Sequence, residues 1–157
     1  MSDKKDSPAI NKYIHPPVVA MFFIIVTILL GRFVPLVPEL SRTIRNIGFG
    51  FVVVGFLIGL AAFIEFRKAK TTLLPHGSVS NIISSGIFRF TRNPIYLGFL
   101  LMVIGFPLNY GSVWGIIAAP FFVTTMNRLV IEKEEAYLEK KFKDEYTSFK
   151  SRVRRWI

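Results

Sequence analysis

Charged residues leave three long gaps in this chain. Residues 13–31 and 46–64 each run for 19 positions without a formal charge, and residues 93–127 run for 35. A helix crossing a ~30 Å hydrocarbon layer needs about 20 apolar residues, and a buried soluble helix rarely runs so far uncharged. The first gap predicts a span over about Val18–Val37, with Arg32 near one end, where a long cation can snorkel toward the headgroups. The second predicts a span over about Ile47–Phe66. The third is too long for one helix, because at about 1.5 Å per residue it would overrun the membrane core. Pro107-Leu108-Asn109-Tyr110-Gly111 is a turn signal in its middle. It divides the run into a hairpin, Pro94–Phe106 and Ser112–Asn127.

Beyond Asn127 the pattern changes. Lys and Glu become frequent, yet Leu138, Phe142, Tyr146, Phe149, Val153 and Trp156 keep helical spacing. Such a stretch predicts amphipathic helices at the membrane surface. The fold class is therefore all-α. The chain reads as a polytopic membrane protein with about four transmembrane helices, a helical hairpin and a C-terminal amphipathic cytoplasmic region. Residues 1–66 form the leader and two spans. Residues 67–157 form a loop, the hairpin and the amphipathic helices, as one structural unit. No small-residue cleavage pattern follows the first apolar run, so it reads as a span and not as a removed signal peptide.

Charge sets the expected orientation. With four spans, the leader, the 67–93 loop and the C-terminal region share one side. They carry seventeen of the twenty Lys and Arg residues, and the other side carries Arg32, Arg42 and Arg45. The positive-inside rule puts both termini in the cytoplasm. The net charge of +10 thus reads as topology and attraction to anionic lipid, not as nucleic-acid binding. Composition narrows the chemistry. A hydrophobic share of 52% excludes disorder. Cys is absent and the two histidines are His15 and His76, so disulfides, thiol nucleophiles, zinc clusters and iron–sulfur sites are excluded. His76 lies in a loop without a carboxylate partner nearby in sequence. No metal site is expected.

Two constellations carry candidate chemistry. Arg92-Asn93-Pro94-Ile95-Tyr96 stands at the mouth of the third span, with Pro94 at a natural first helical position. The helix N-terminus and the arginines suit an anionic group. They equally suit a positive-inside cap with Asn93 as N-cap and Tyr96 as an interface anchor. Glu132-Lys133-Glu134-Glu135 follows the last span on the same side. Its carboxylates could meet a cationic ligand or a hydroxyl, or could be solvated helix pairs. Gly55-xxx-Gly59 and Gly111-xxx-Gly115 are small-xxx-small patterns, for which helix packing is a sufficient account. Glu65, at the end of the second span beside Arg67, reads as an interfacial ion pair.

Taken together, Gly86, then Arg92-Asn93-Pro94-Ile95-Tyr96-Leu97-Gly98, a charge-free hairpin, and Glu134-Glu135 with Leu138, Phe142, Tyr146, Phe149, Val153 and Arg155 resemble a known pattern. It is that of the isoprenylcysteine carboxyl methyltransferase and phospholipid methyltransferase family of integral membrane enzymes, and it covers about Arg67 to Trp156. The resemblance implies S-adenosyl-L-methionine as methyl donor. It implies cofactor contacts at Ser80, Asn81, Ile82, Ile83, Phe88, Asn93, Pro94, Ile95, Tyr96 and Glu134. Arg92 would hold an anionic group, and Glu135 would order the arginines around it; these two are the catalytic candidates. Asn93 replaces the histidine of one branch. Val130 stands where the eukaryotic carboxyl methyltransferases place a substrate-binding arginine, and Arg128 is the nearest cation to that position. The implied acceptor is a lipophilic small molecule or prenylated substrate, met in the bilayer. The rival readings are a sterol-reductase-like enzyme using NADPH and a non-catalytic membrane adaptor. The former pattern has an acidic residue where this chain has Leu97-Gly98-Phe99.

Overall fold

The computed structural model describes residues 15–69 and 81–157, and among them there are six α-helices and no strand. These are α1 (Pro16–Phe33), α2 (Arg42–Lys68), α3 (Pro94–Asn109), α4 (Trp114–Met126), α5 (Glu132–Phe142) and α6 (Asp144–Arg152). A 3-10 turn at Gly86–Arg89 precedes α3, and a π-helical segment at Asn127–Ile131 joins α4 to α5. The helix α1, the helix α2 and the continuous rod Trp114–Phe142 are long and apolar enough to cross a membrane. At 16 residues α3 is shorter, roughly 24 Å against a ~30 Å hydrocarbon core. The molecule is a polytopic membrane protein, and Phe22, Phe49, Phe56 and Phe121 face outward where lipid would lie.

The helix ends have local causes. The first helix stops at Phe33, short of the expected Val37, because Val34 precedes Pro35 and a residue before proline is driven out of the helical region. The second starts earlier than expected, at Arg42, where the Ser41 hydroxyl accepts from the Ile44 N–H at 3.4 Å. Charge ends an apolar run but does not end a helix. The hairpin does break near the turn signal, with Gly111 at a φ of +88°, but α3 runs three residues past the expected Phe106 and takes Pro107 inside the helix, so the break lies between Asn109 and Trp114.

Helix α3 is the centre of the bundle, packed on α1, α2 and α4. Its contact with α2 is the most extensive and rests on glycines seven residues apart on each helix. A Cβ on Gly48 would lie 2.8 Å from the Gly105 carbonyl oxygen, and one on Gly55 would lie 2.6 Å from that of Gly98. The absent side chains let two backbones touch, which is how small residues bind helices in lipid. At the far end Arg45 Nε donates to the Asn109 carbonyl and Asn109 Nδ2 donates to the Arg45 carbonyl, both at 3.0 Å.

Two apolar clusters follow. One joins Val103, Phe122, Met126, Val130 and Ile131 to Ala20 and Tyr96 inside the bundle. The other, at the charged end, packs Tyr146, Phe149 and Val153 on Ala62 and Phe88, with Leu138 and Phe142 against it. The amphipathic stripe therefore faces the bundle end, and α5 continues α4 rather than starting anew on a surface.

Candidate functional site

The site is built at the opening of α3. Pro94 is fully buried at the first helical position, where its missing N–H costs nothing. Asn93 occupies the N-cap position, yet its side chain makes no cap. It reaches instead to the C-terminal residues: Asn93 Nδ2 donates to the Arg155 carbonyl at 2.9 Å. The Arg92 N–H donates to the Arg154 carbonyl at 3.0 Å, and Thr91 Oγ1 to the Arg155 carbonyl at 3.3 Å. Trp156 Nε1 donates to Asn127 Oδ1, in the π segment, at 3.1 Å. Residues 154–156 are thus clasped between the start of α3 and the α4–α5 joint.

Glu134 and Glu135 are neighbours on α5. Successive helical residues point about 100° apart, so the pair meets different surroundings. Glu135 is buried and saturated. Arg92 Nη1 lies 3.1 Å from Oε1, and Arg155 forks onto both oxygens, Nε to Oε1 at 3.0 Å and Nη2 to Oε2 at 2.7 Å. This is the bidentate geometry that makes arginine–carboxylate pairs strong. Arg92 Nη1 also approaches the Tyr146 hydroxyl at 3.5 Å, while Arg92 Nε is buried without a hydrogen-bond partner among the described residues. Burial, and then the Glu135 charge, push the Tyr146 hydroxyl up to about 12. The hydrogen bond to Glu135 raises Arg155 above its ordinary value, so it stays charged.

Glu134 is different. It is half-buried, and Tyr96, buried on α3, donates its hydroxyl to Oε1 at 2.8 Å. Among the described residues no cation pairs with Glu134. A carboxylate taken partly out of water with only a neutral donor is short of compensating charge. Two residues of one dipeptide thus divide into a closed ion cluster and an open acceptor.

The loop before α3 forms the next wall. Phe88 is buried with its ring edge-on to Phe66 at 5.5 Å, and Ile82, Ile83 and Ile87 pack beside it. Gly86 has a φ of +55°, and a Cβ there would lie 2.6 Å from the Glu65 carboxyl carbon. Ser85 Oγ donates to Glu65 Oε2 at 2.5 Å, and Lys68 Nζ lies 2.8 Å from Oε1. The ion pair of Glu65 is therefore with Lys68, one turn on. Arg67 instead lies over the Phe63 ring, 5.9 Å from its centroid. Glu65 anchors the loop to α2, a role the sequence hinted at only through a lone carboxylate closing an apolar run.

The structure brings Arg92, Asn93, Tyr96, Glu134 and Glu135 to one end of the bundle. Ile95 touches both apolar clusters. Asn81 is exposed, and so is Arg128, which makes no hydrogen bond or ion pair with the described residues. Ser80 and His76 lie outside the described residues. Beside Tyr96 a groove of about 530 Å³ runs between the start of α1, α2 and α3, lined by Pro17, Gly59, Leu60, Phe63, Tyr96 and Phe99 among others.

Residues 44–145, well over half of the chain, match the profile of the phospholipid methyltransferase family. The chain belongs to that family. As a phospholipid methyltransferase family member it is a membrane protein of methyltransferase type, as the paired motifs imply. The chain is also similar to an uncharacterized protein of Haemophilus influenzae, 38% identical over 63 residues, which are 40% of this chain and 100% of that one. No solved structure matches the chain significantly.

Proposed function

We propose that this protein transfers a methyl group from S-adenosyl-L-methionine to the head group of a lipophilic acceptor at the charged end of the bundle. The observation that carries this reading is Glu134, a half-buried carboxylate held by the Tyr96 hydroxyl and, among the described residues, by no cation. The cofactor is cationic at its sulfonium and its amino group, so the residues present fit it: Glu134 for the positive polar end, with Ile82, Ile83 and Ile95 as apolar wall. When bound, the cofactor supplies an already activated methyl carbon.

The chain's own part is positioning and exclusion of water, which can supply much of the acceleration of such a displacement. Tyr96 orients the Glu134 carboxylate. Glu135 bridges Arg92 and Arg155 and so fixes the opening of α3 against the C-terminal residues. In this arrangement Arg92 and Glu135 are positioning residues. Glu135 already takes Arg92 Nη1 and the Arg155 fork, and Val130 offers no further cation. We therefore read the acceptor as a lipid with an amine head, which must arrive deprotonated, in preference to a carboxylate. A hydrocarbon tail partitions into the bilayer at about 0.8 kcal/mol per buried CH₂, and so delivers the head to a site at the membrane edge. Cytoplasmic termini, supported by the seventeen-to-three cation balance, would put the site on the side where the donor is made.

The test is to incubate purified protein with methyl-labelled donor and defined lipids. Label in an acid- and base-stable N-methylated lipid is the expected result. Base-labile volatile label would instead mean a methyl ester, and label only in water-soluble products would overturn the lipid acceptor. Reporter fusions at residues 1 and 157 check the orientation.

A further inference from the structure

The Gly55-xxx-Gly59 pattern does not behave as one motif. Gly55 is pressed on the Gly98 carbonyl, but a Cβ on Gly59 would meet nothing within 4 Å among the described residues. The Gly59 backbone still runs past α3, its N 3.6 Å from where a Cβ on Gly98 would stand, but the open side of Gly59 faces the groove. That groove extends along α2 from Gly55 to Phe63, about 12 Å, from mid-bundle to the charged end. Its lining is apolar except near the end where His15 and Tyr96 stand. Tyr96 lines the groove, and its hydroxyl holds Glu134 at 2.8 Å. One residue therefore joins an apolar slot to the open carboxylate.

We propose that this slot holds one hydrocarbon chain of the methyl acceptor, and that Gly59 is the residue that sets how bulky a chain it admits. The proposal rests on the methyltransferase reading above and specifies where the acceptor's chain lies. An acyl or prenyl chain entering from the bilayer between α1 and α2 would run along Leu60 and Phe63 and leave its head beside Tyr96. A side chain at position 59 would project into the same space without displacing backbone, because that space is open. Gly50 provides the control. It too has open space around its Cβ position, on the same helix, but does not line the groove.

The experiment uses the full chain in lipid nanodiscs containing a small fraction of a phospholipid with a photoreactive diazirine in one acyl chain. Adducts are mapped by mass spectrometry. The expected result is labelling concentrated on residues 55–63 and 95–102. Gly59→Phe should lower it at least tenfold and Gly59→Ala partially, while Gly50→Phe leaves it unchanged. Gly59→Phe should also raise KM for a long-chain acceptor at least tenfold, with donor affinity within twofold of the parent protein. Labelling spread evenly around the outer helices, or unchanged by Gly59→Phe, would overturn the slot. Because the adducts form without methyl transfer, the two readings fail separately. Concentrated labelling with no transfer to any chain-bearing lipid would leave the slot and overturn its assignment to the acceptor.

Discussion

Glu134 and Glu135 differ by one position and live in opposite electrostatic regimes. Glu135 is held by Arg92 and Arg155, with the Tyr146 hydroxyl 3.5 Å from Arg92 and Glu132 3.9 Å from Arg155, so that two cations meet two carboxylates. Among the described residues, Glu134 has one neutral hydroxyl. A closed cluster resists change because removing one member strands the others. An open carboxylate costs the fold something and is useful only if a ligand completes it. The comparison separates what holds the site together from what the site holds.

The largest effect expected from breaking it is on stability. Glu135→Gln leaves two guanidinium groups facing a neutral amide. Breaking a buried pair costs 3–5 kcal/mol, and the partial exposure of Arg155 puts this case near about 3 kcal/mol. Thermal denaturation in detergent should show a clearly lowered melting temperature, with the charged end of the bundle first to lose protection in hydrogen exchange.

Glu134→Gln should do the reverse: melting within about a degree or higher, and donor affinity down roughly ten- to a hundredfold, the ~1.5–3 kcal/mol of a hydrogen bond to a charged group. Tyr96→Phe sharpens this by removing only the orienting bond, worth about 0.5–1.5 kcal/mol. Donor affinity should fall severalfold, less than in Glu134→Gln, and the double variant should be no worse than Glu134→Gln alone.

A smaller change concerns the joint between α5 and α6. Lys143 there has φ 45° and ψ −118°, backbone that disfavours a side chain. Lys143→Gly should raise stability by about 1 kcal/mol, read as a higher melting temperature with donor affinity unchanged. Destabilisation would mean that the Lys143 side chain supports the clasp. Smallest of all is Arg128→Ala, an exposed position where surface changes stay within about ±0.5 kcal/mol. Donor affinity should not move, and a large rise in acceptor KM would restore the substrate role that the sequence suggests for Arg128.

Much of this was legible before the structure. The charge-free runs mark α1, α2 and the hairpin, and Pro107 to Gly111 marks its turn, because desolvation and backbone restriction are local properties. The stripe from Leu138 to Trp156 marks what the charged end packs. Three features were not legible. The π segment at Asn127–Ile131, directly before the glutamates, leaves no mark on the hydrophobic period. The bond from Asn93 to the Arg155 carbonyl joins residues 62 positions apart, and no local pattern reports it. The glycine contacts pair Gly48 with Gly105 and Gly55 with Gly98, so the motif lies across two helices and not within one.

The central claim is that Glu134 is the open carboxylate for the donor while Glu135 is structural. Isothermal titration of S-adenosyl-L-methionine into Glu134→Gln, beside a melting curve of the same sample, tests it most directly. The account predicts an undiminished melting temperature and an affinity ten- to a hundredfold below that of the parent protein. An unchanged affinity, or a loss of binding accompanied by a collapse in melting temperature, would contradict it.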